Sequence, residues 1–225
     1  ERALMLYAQP IHNREGEGYH EILTRMRCGD SVIMPDQFIP LIVQFNLSQR
    51  FDMLVLETLF SVLHQHPGQR FSVNLLPATL MQKDSAVQII ALFQRYAVSP
   101  DLITIEVTEE QAFSNADISQ QNLEALRAFG CAIAIDDFGT GYANYERLKH
   151  LQADIIKIDG CFVRDILTDP LDAIMVKSIV EMARAKQMSV VAEYVESEPQ
   201  KARLLELGVN YLQGYLVGKP RPLGE

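Results

Sequence analysis

The sequence predicts an α/β fold, a modified TIM (β/α)₈ barrel with one antiparallel strand, in one domain spanning residues 1–225. Three observations carry that expectation. Short apolar runs typical of buried parallel strands alternate with amphipathic helical stretches along the chain. The first two strand-like runs follow each other with only a polar, glycine-containing turn between them. Each strand-like run also carries a polar residue that its hydrophobic context does not require.

Taken in order, Leu4–Ile11 and Gly18–Arg27 read as strands, and the turn between them holds the solvated Glu15 and Glu17. Parallel neighbours need a crossover of a dozen or more residues, so this link makes an antiparallel hairpin. From there strand and helix alternate. Strands are expected at Phe71–Leu75, Leu102–Val107, Cys131–Asp136, Asp154–Ile158, Ser189–Glu193 and Tyr211–Tyr215, each a short apolar run. Helices are expected at Asp52–His66, Ala78–Tyr96, Ile118–Phe129, Leu171–Lys186 and Glu198–Leu207, where apolar residues recur at helical spacing. The chain opens at Glu1 and enters a strand almost at once, which reads as a piece cut from a longer polypeptide.

Composition narrows the function classes. With 225 residues, 48% hydrophobic and 22% charged, the chain can bury one large core. No apolar stretch approaches the roughly 20 residues that span a bilayer, and the start lacks a secretory layout. These features predict a segment with no membrane contact of its own and a cytoplasmic location, including as the cytoplasmic part of a membrane-anchored protein. Cys28, Cys131 and Cys161 form no CxxC pair and sit in or beside apolar runs, which reads as small buried residues in a reducing compartment. A formal net charge of −9 argues against a partner that is a DNA or RNA polymer. It leaves room for a small anionic ligand, because a bound metal ion reverses the local sign.

The polar residues on the strands are Gln9, Glu21, Asn74, Glu106, Asp136, Lys157, Glu193 and Gln213. In a barrel, strand ends converge, and the C-terminal ends are where such folds keep their chemistry. Strand alternation puts Glu21, Leu23 and Arg25 on one face and pairs Lys157 with Asp159 in the same way. Glu21, Glu106, Asp136, Asp137, Asp159 and Glu193 around one cavity, with mainly Arg25 and Lys157 as cations, repel one another unless a divalent cation neutralises them. All the donors are oxygens, the Asn74 amide included, which suits Mg²⁺ or Mn²⁺ better than Zn²⁺; the surplus of acids allows two ions. Simpler readings exist for single residues. The Asp136-Asp137 pair could cap a helix, Asn74 could cap the helix after Pro77, and Lys157 could pair structurally with Asp159. The five histidines show no metal-ligand spacing, and the methionines read as core filling.

Glu21-Ile22-Leu23-Thr24-Arg25 resembles the E-A-L-x-R signature of the EAL-domain cyclic-di-GMP phosphodiesterases. The resemblance continues through Gln9-Pro10-Ile11, Asn74, Glu106-Val107-Thr108-Glu109, Asp136-Asp137-Phe138-Gly139-Thr140-Gly141-Tyr142, Lys157-Ile158-Asp159, Ala192-Glu193-Tyr194-Val195-Glu196 and Gln213-Gly214-Tyr215, and so covers practically the whole chain. It implies metal-dependent opening of cyclic di-GMP to linear pGpG in bacterial second-messenger signalling. By the same resemblance, Glu21, Asn74, Glu106 and Asp136 hold one metal, and Asp136 and Asp137 with Asp159 serve a second. Lys157 steadies the attacking water and Glu193 is the general base. Arg25 contacts a substrate phosphate, Gln9 and Gln213 position the substrate or a water, and Glu109 braces the loop after Asp136-Asp137. Similar domains couple that loop to a dimer interface, which implies a homodimer.

The chain departs from the family pattern at three places. Ile22 stands where the signature has alanine, Tyr194 where glycine is usual between the two glutamates, and Tyr142-Ala143-Asn144-Tyr145 where serines are commoner. The alternative within the family is a catalytically silent receptor for the dinucleotide, or a protein-interaction module. Such members usually lack a metal ligand, and this chain lacks none. An unrelated barrel lyase or aldolase would share the strand-end acids but not the motifs that bring Gln9, Arg25 and Gln213.

Overall fold

The computed structural model describes residues 3–112, 117–139 and 152–223. Its eight barrel strands are β1 (Leu4–His12), β2 (Gly18–Cys28), β4 (Phe71–Asn74), β5 (Ile103–Thr108), β6 (Ala132–Phe138), β7 (Ile155–Ile158), β8 (Ser189–Ala192) and β9 (Tyr211–Gln213). From β2 through β4 to β9 every neighbour is parallel, whereas β1 runs antiparallel to both β2 and β9 and closes the ring. The expected barrel with one reversed strand is therefore present. Two short strands extend its rim: β3 (Ser31–Ile33) pairs with β2, and β10 (Arg221–Pro222) pairs with β1 beside β9.

Strand alternation divides each strand between an outer apolar face and an inner one. Outward-facing Ile22, Val73, Ile105, Ile135, Ile158 and Ala192 join the main core with helix residues such as Leu56, Leu59, Ile89, Phe93, Leu126 and Val180. Inside the barrel Ile11, Tyr19 and Val191 form a second cluster, with Ile155 and Tyr211 packed on it. Each of these lies two positions from a polar residue on the same strand: Gln9, Glu21, Glu193, Lys157 and Gln213. The interior thus has an apolar floor and a polar layer above it, so charges in that layer are cut off from water below.

Among the described residues the helices are α1 (Pro35–Gln44), α2 (Ser48–Val62), α3 (Pro77–Leu80), α4 (Ser85–Tyr96), α5 (Glu109–Ala112), α6 (Asp117–Phe129), α7 (Gly160–Arg164), α8 (Pro170–Ala185) and α9 (Glu198–Leu207). Their starts follow from sequence. Proline stands in the first turn of α1, α3, α8 and α9, and Ser197 with Gln200 forms a reciprocal capping box at α9. The single helix expected over Ala78–Tyr96 is two. The chain breaks at 81–84 because the side chain of Asn122 on α6 claims backbone groups there, donating to Leu80 O and Gln82 O and accepting from Ala86 N. A buried Asp52 on α2 fixes the preceding turn, accepting from Leu76 N at 2.9 Å and Thr79 Oγ1 at 2.5 Å. The cysteine expectation holds only for Cys131. Cys28 at the end of β2 and Cys161 in the first turn of α7 are exposed. No helix among the described residues is long and apolar enough to cross a membrane.

Candidate functional site

At the C-terminal ends of the parallel strands lies a cavity of about 550 Å³, lined by Gln9, Glu21, Leu23, Arg25, Asp136, Asp137, Asp159, Glu193 and Gln213, with Met34, Tyr194 and Tyr215 among the residues around them. Lys157 stands behind it, fully buried, and its Nζ reaches four carboxylates: Glu106 Oε2 at 2.7 Å, Glu193 Oε1 at 2.9 Å, Asp136 Oδ1 at 3.0 Å and Glu21 Oε2 at 3.3 Å. The simpler pairing of Lys157 with Asp159 is not what forms. Asp159 lies past the end of β7, where its Oδ1 accepts from Cys161 N at 2.8 Å and caps α7.

Amides complete the ring. Asn74 donates through Nδ2 to Glu21 Oε1 at 2.8 Å instead of capping α3, whose N-cap is Leu76. Gln213 Nε2 donates to Glu21 Oε2 at 2.6 Å and to Gln9 Oε1 at 3.2 Å, while Gln9 Nε2 donates to Gly218 O. Every oxygen of Glu21 is thereby held from a different strand, which fixes its direction. Arg25 is set apart from the acids: its guanidinium stands 5.5 Å from the Tyr7 ring centroid and donates to Thr24 O.

Consecutive strand residues ordinarily point to opposite faces, yet Asp136 and Asp137 both line the cavity. The β6–β7 register shifts between Ile135 and Phe138, and Asp137 has a left-handed φ of 53°. This bulge turns the second carboxylate to the side of the first. The turn is held from the start of α5, just after β5: Glu109 Oε2 accepts from Gly139 N at 3.0 Å. The continuation through Thr140, Gly141 and Tyr142-Ala143-Asn144-Tyr145 lies outside the described residues.

The electrostatics match so crowded a cluster. Burial, and then repulsion from Glu21, pushes Glu106 well above the ordinary carboxylate range against the pull of Lys157. Glu193 is raised to about 8, chiefly by burial, with Asp136 and Glu21 adding to it and Lys157 opposing. Asp137 is raised by burial, Asp136 and Asp159. Burial alone would lower Lys157, but its four carboxylates, Glu106 foremost, hold it well above its usual value.

Acidic side chains are placed to bind metal in two overlapping trios, Glu21–Glu106–Asp136 and Asp136–Asp137–Glu193, each offering oxygens within 4.8 Å of one another. Glu106 Oε1 is buried without a hydrogen-bond partner. An all-oxygen donor set with such an orphaned atom fits a hard divalent cation. Asp136 is common to both trios. Asp159 lines the cavity but belongs to neither trio, whereas Glu193 joins the second.

Two features escaped the sequence. Gln111, on α5, is buried and bonded between two strand ends, and Asp52 is buried beneath the turn after Asn74. Neither stands in a strand, so strand-end polarity could not flag them. Tyr194 has a left-handed φ of 55° and is 63% exposed, its ring lying on the backbone of Gly160, where a Cβ would meet Tyr194 Cδ2 at 2.4 Å.

Two curated relatives match nearly the whole of this chain. The probable cyclic di-GMP phosphodiesterase PdeA of Escherichia coli K12 is 62% identical over 99% of this chain, and the cyclic di-GMP phosphodiesterase PdeF of the same organism is 45% identical over 97%. The chain spans only 31% and 30% of their respective lengths. The solved MucR phosphodiesterase of Pseudomonas aeruginosa, in complex with c-di-GMP, superposes with a TM-score of 0.89 at 34% identity, covering 98% of this chain and 92% of that one. The family model of the EAL domain matches residues 1–220, and the chain belongs to the EAL domain family.

Proposed function

We propose that this domain hydrolyses cyclic di-GMP to linear 5′-pGpG with Mg²⁺ or Mn²⁺, two ions being held at once. The observation that carries the reading is the pair of carboxylate trios sharing Asp136, gathered round one buried lysine at the mouth of the barrel. The names of the relatives and the c-di-GMP in the MucR complex support the same substrate.

In this reading Glu21, Asn74, Glu106 and Asp136 hold one ion, and Asp136 and Asp137, with Asp159, hold the other. When bound, the ions supply positive charge to the phosphoryl oxygens and acidify water. The chain's own residues do the rest. Glu193 takes the proton of the water that attacks phosphorus, while Lys157, 2.9 Å from Glu193 Oε1, keeps that carboxylate aimed and hydrogen-bonds the water. The phosphorus–O3′ bond breaks and the 3′ oxygen leaves and takes up a proton from solvent, giving a 5′-phosphate and a free 3′-hydroxyl. Arg25 swings from Tyr7 to a substrate phosphate, and Gln9 and Gln213 position the substrate from the far wall. Glu109 steadies the turn that carries Asp137.

We place the domain in a longer cytoplasmic or cytoplasm-facing protein, working as a homodimer. A product-resolved nucleotide assay with Mg²⁺ or Mn²⁺ is expected to give pGpG, and EDTA, Glu21→Ala or Asp136→Asn to abolish it. Turnover surviving either substitution refutes the metal roles; tight cyclic di-GMP binding with no product after prolonged incubation with metal refutes the hydrolase.

A further inference from the structure

We infer that Gln111 is a positioning residue that sets the spacing between the strand ends carrying Asn74, Glu106 and Asp136, and so tunes the affinity of the site for a divalent cation. The inference rests on the metal roles proposed above and extends them to a residue that touches no ligand.

The geometry is that of a wedge in a ladder. β4 and β5 run parallel with Asn74 opposite Glu106, and Leu75 N donates to Glu106 O at 3.0 Å. In a regular parallel ladder the next bond would run from Thr108 N to Leu75 O. It does not form. The side-chain amide of Gln111 is inserted in its place: Oε1 accepts from Thr108 N at 2.6 Å and from Thr108 Oγ1 at 3.0 Å, and Nε2 donates to Leu75 O at 3.2 Å. One carboxamide thus acts as a surrogate peptide group, satisfying both strands while holding their ends apart by its own width. It thereby fixes the two ends just beyond the Asn74–Glu106 pair, the last pair of the β4–β5 ladder, and so the position from which both side chains leave it.

The same short helix reaches the third strand. Thr108 is paired with Asp136 across β5–β6, and Glu109, two residues before Gln111, accepts from Gly139 N just beyond the Asp136-Asp137 bulge. α5 therefore fixes the ends of β4, β5 and β6 together. Gln111 is 5% exposed, so water cannot readily replace it in this role.

The test compares wild type with Gln111→Met, which keeps length but neither donates nor accepts a strong hydrogen bond, and Gln111→Glu, which keeps the acceptor for Thr108 and loses the donor for Leu75. Two readouts are independent of turnover: Mn²⁺ affinity by calorimetry, and the side-chain amide cross-peak of Asn74 with the backbone cross-peak of Gly139 in metal-free protein. Both variants are expected to move these peaks and to bind Mn²⁺ about 10–100-fold more weakly, the scale of losses when groups behind metal ligands are removed. Should Gln111→Met fail to fold, Gln111→Glu carries the same measurement. Variants that lose stability to urea yet keep the wild-type Mn²⁺ affinity, or leave the Asn74 peak in place, overturn the inference. Wild type that binds Mn²⁺ but hydrolyses no cyclic di-GMP would overturn the proposed reaction instead and leave the Gln111 result standing.

Discussion

Replacing Lys157 by methionine tests what neutralises the acid cluster. The side chain is fully buried and its Nζ lies 2.7–3.3 Å from carboxylate oxygens of Glu21, Glu106, Asp136 and Glu193. Methionine fills similar space, so the loss is one of charge and not of packing. Removing one partner of a buried ion pair costs about 3–5 kcal/mol, because the remaining charge is left without compensation. At about 2–4 °C per kcal/mol for a chain of this size, the melting temperature in EDTA is expected to fall by roughly 6–20 °C. Saturating Mn²⁺ places cations among the same oxygens, and at a concentration one hundred times Kd ligand binding adds about 2.7 kcal/mol to any protein that holds the ion. The variant should gain more from Mn²⁺ than wild type, since its acids have no other counter-ion. Thermal melts and urea titrations in EDTA and in Mn²⁺ read both quantities, with an unchanged m-value certifying that the folded state is intact. A variant as stable as wild type in EDTA, or one whose deficit is the same with and without Mn²⁺, refutes the reasoning.

Four further outcomes are expected. The left-handed φ of Tyr194 costs an L-residue about 1–2 kcal/mol, and glycine's extra chain entropy offsets about 0.5–1, so Tyr194→Gly should stay within about 1 kcal/mol of wild type despite losing its ring. Gly160→Ala should cost about 1–3 kcal/mol by driving a Cβ into that ring, and cost nothing on the Tyr194→Gly background; additive urea denaturation energies would contradict the contact. Burial raises Asp52 to about 7, against hydrogen bonds from Thr79 and Leu76. The folded state therefore keeps a proton that the unfolded chain has released. Stability from this group is full below about pH 4 and lost as pH rises through about 7, on the order of 4 kcal/mol. Asp52→Asn should flatten that part of the urea-midpoint profile, and an unchanged profile would clear Asp52 of the effect. Glu106→Gln keeps shape but removes a charge from the first trio, and calorimetry should show Mn²⁺ affinity reduced about tenfold or more; full affinity would exclude Glu106 as a ligand.

Much of this architecture can be read from local pattern because buried parallel strands leave a strong trace. An apolar run ending in one polar side chain marks β4 to β9, and the short polar turn before Gly18 allows only the reversed β1. The gathering of Glu21, Glu106, Asp136, Lys157, Glu193 and Gln213 follows from barrel closure and the shared phase of those strands. What stayed hidden depends on contacts between elements. The break between α3 and α4 is imposed by Asn122 from another helix, and no helical period over 78–96 announces it. The bulge that aligns Asp136 with Asp137 is a matter of register against β7. Cys28 and Cys161 look buried beside apolar neighbours, but the ends of β2 and the first turn of α7 project beyond the core.

The reversed first strand gives the ring a seam between the two ends of the chain. Gln9 and Gln213, 204 positions apart, meet across it, and Glu21 takes a bond from Gln213 over a separation of 192. Such distant pairings carry a high loop-closure cost and form late, after the local hairpin and the successive β–α units. During synthesis every other strand can already be in place while the gap beside β1 waits for β9 to leave the ribosome. The cage that orients Glu21 is consequently completed only by the final strands, and a chain truncated before Tyr211 would be an open sheet with a raw edge and no working centre.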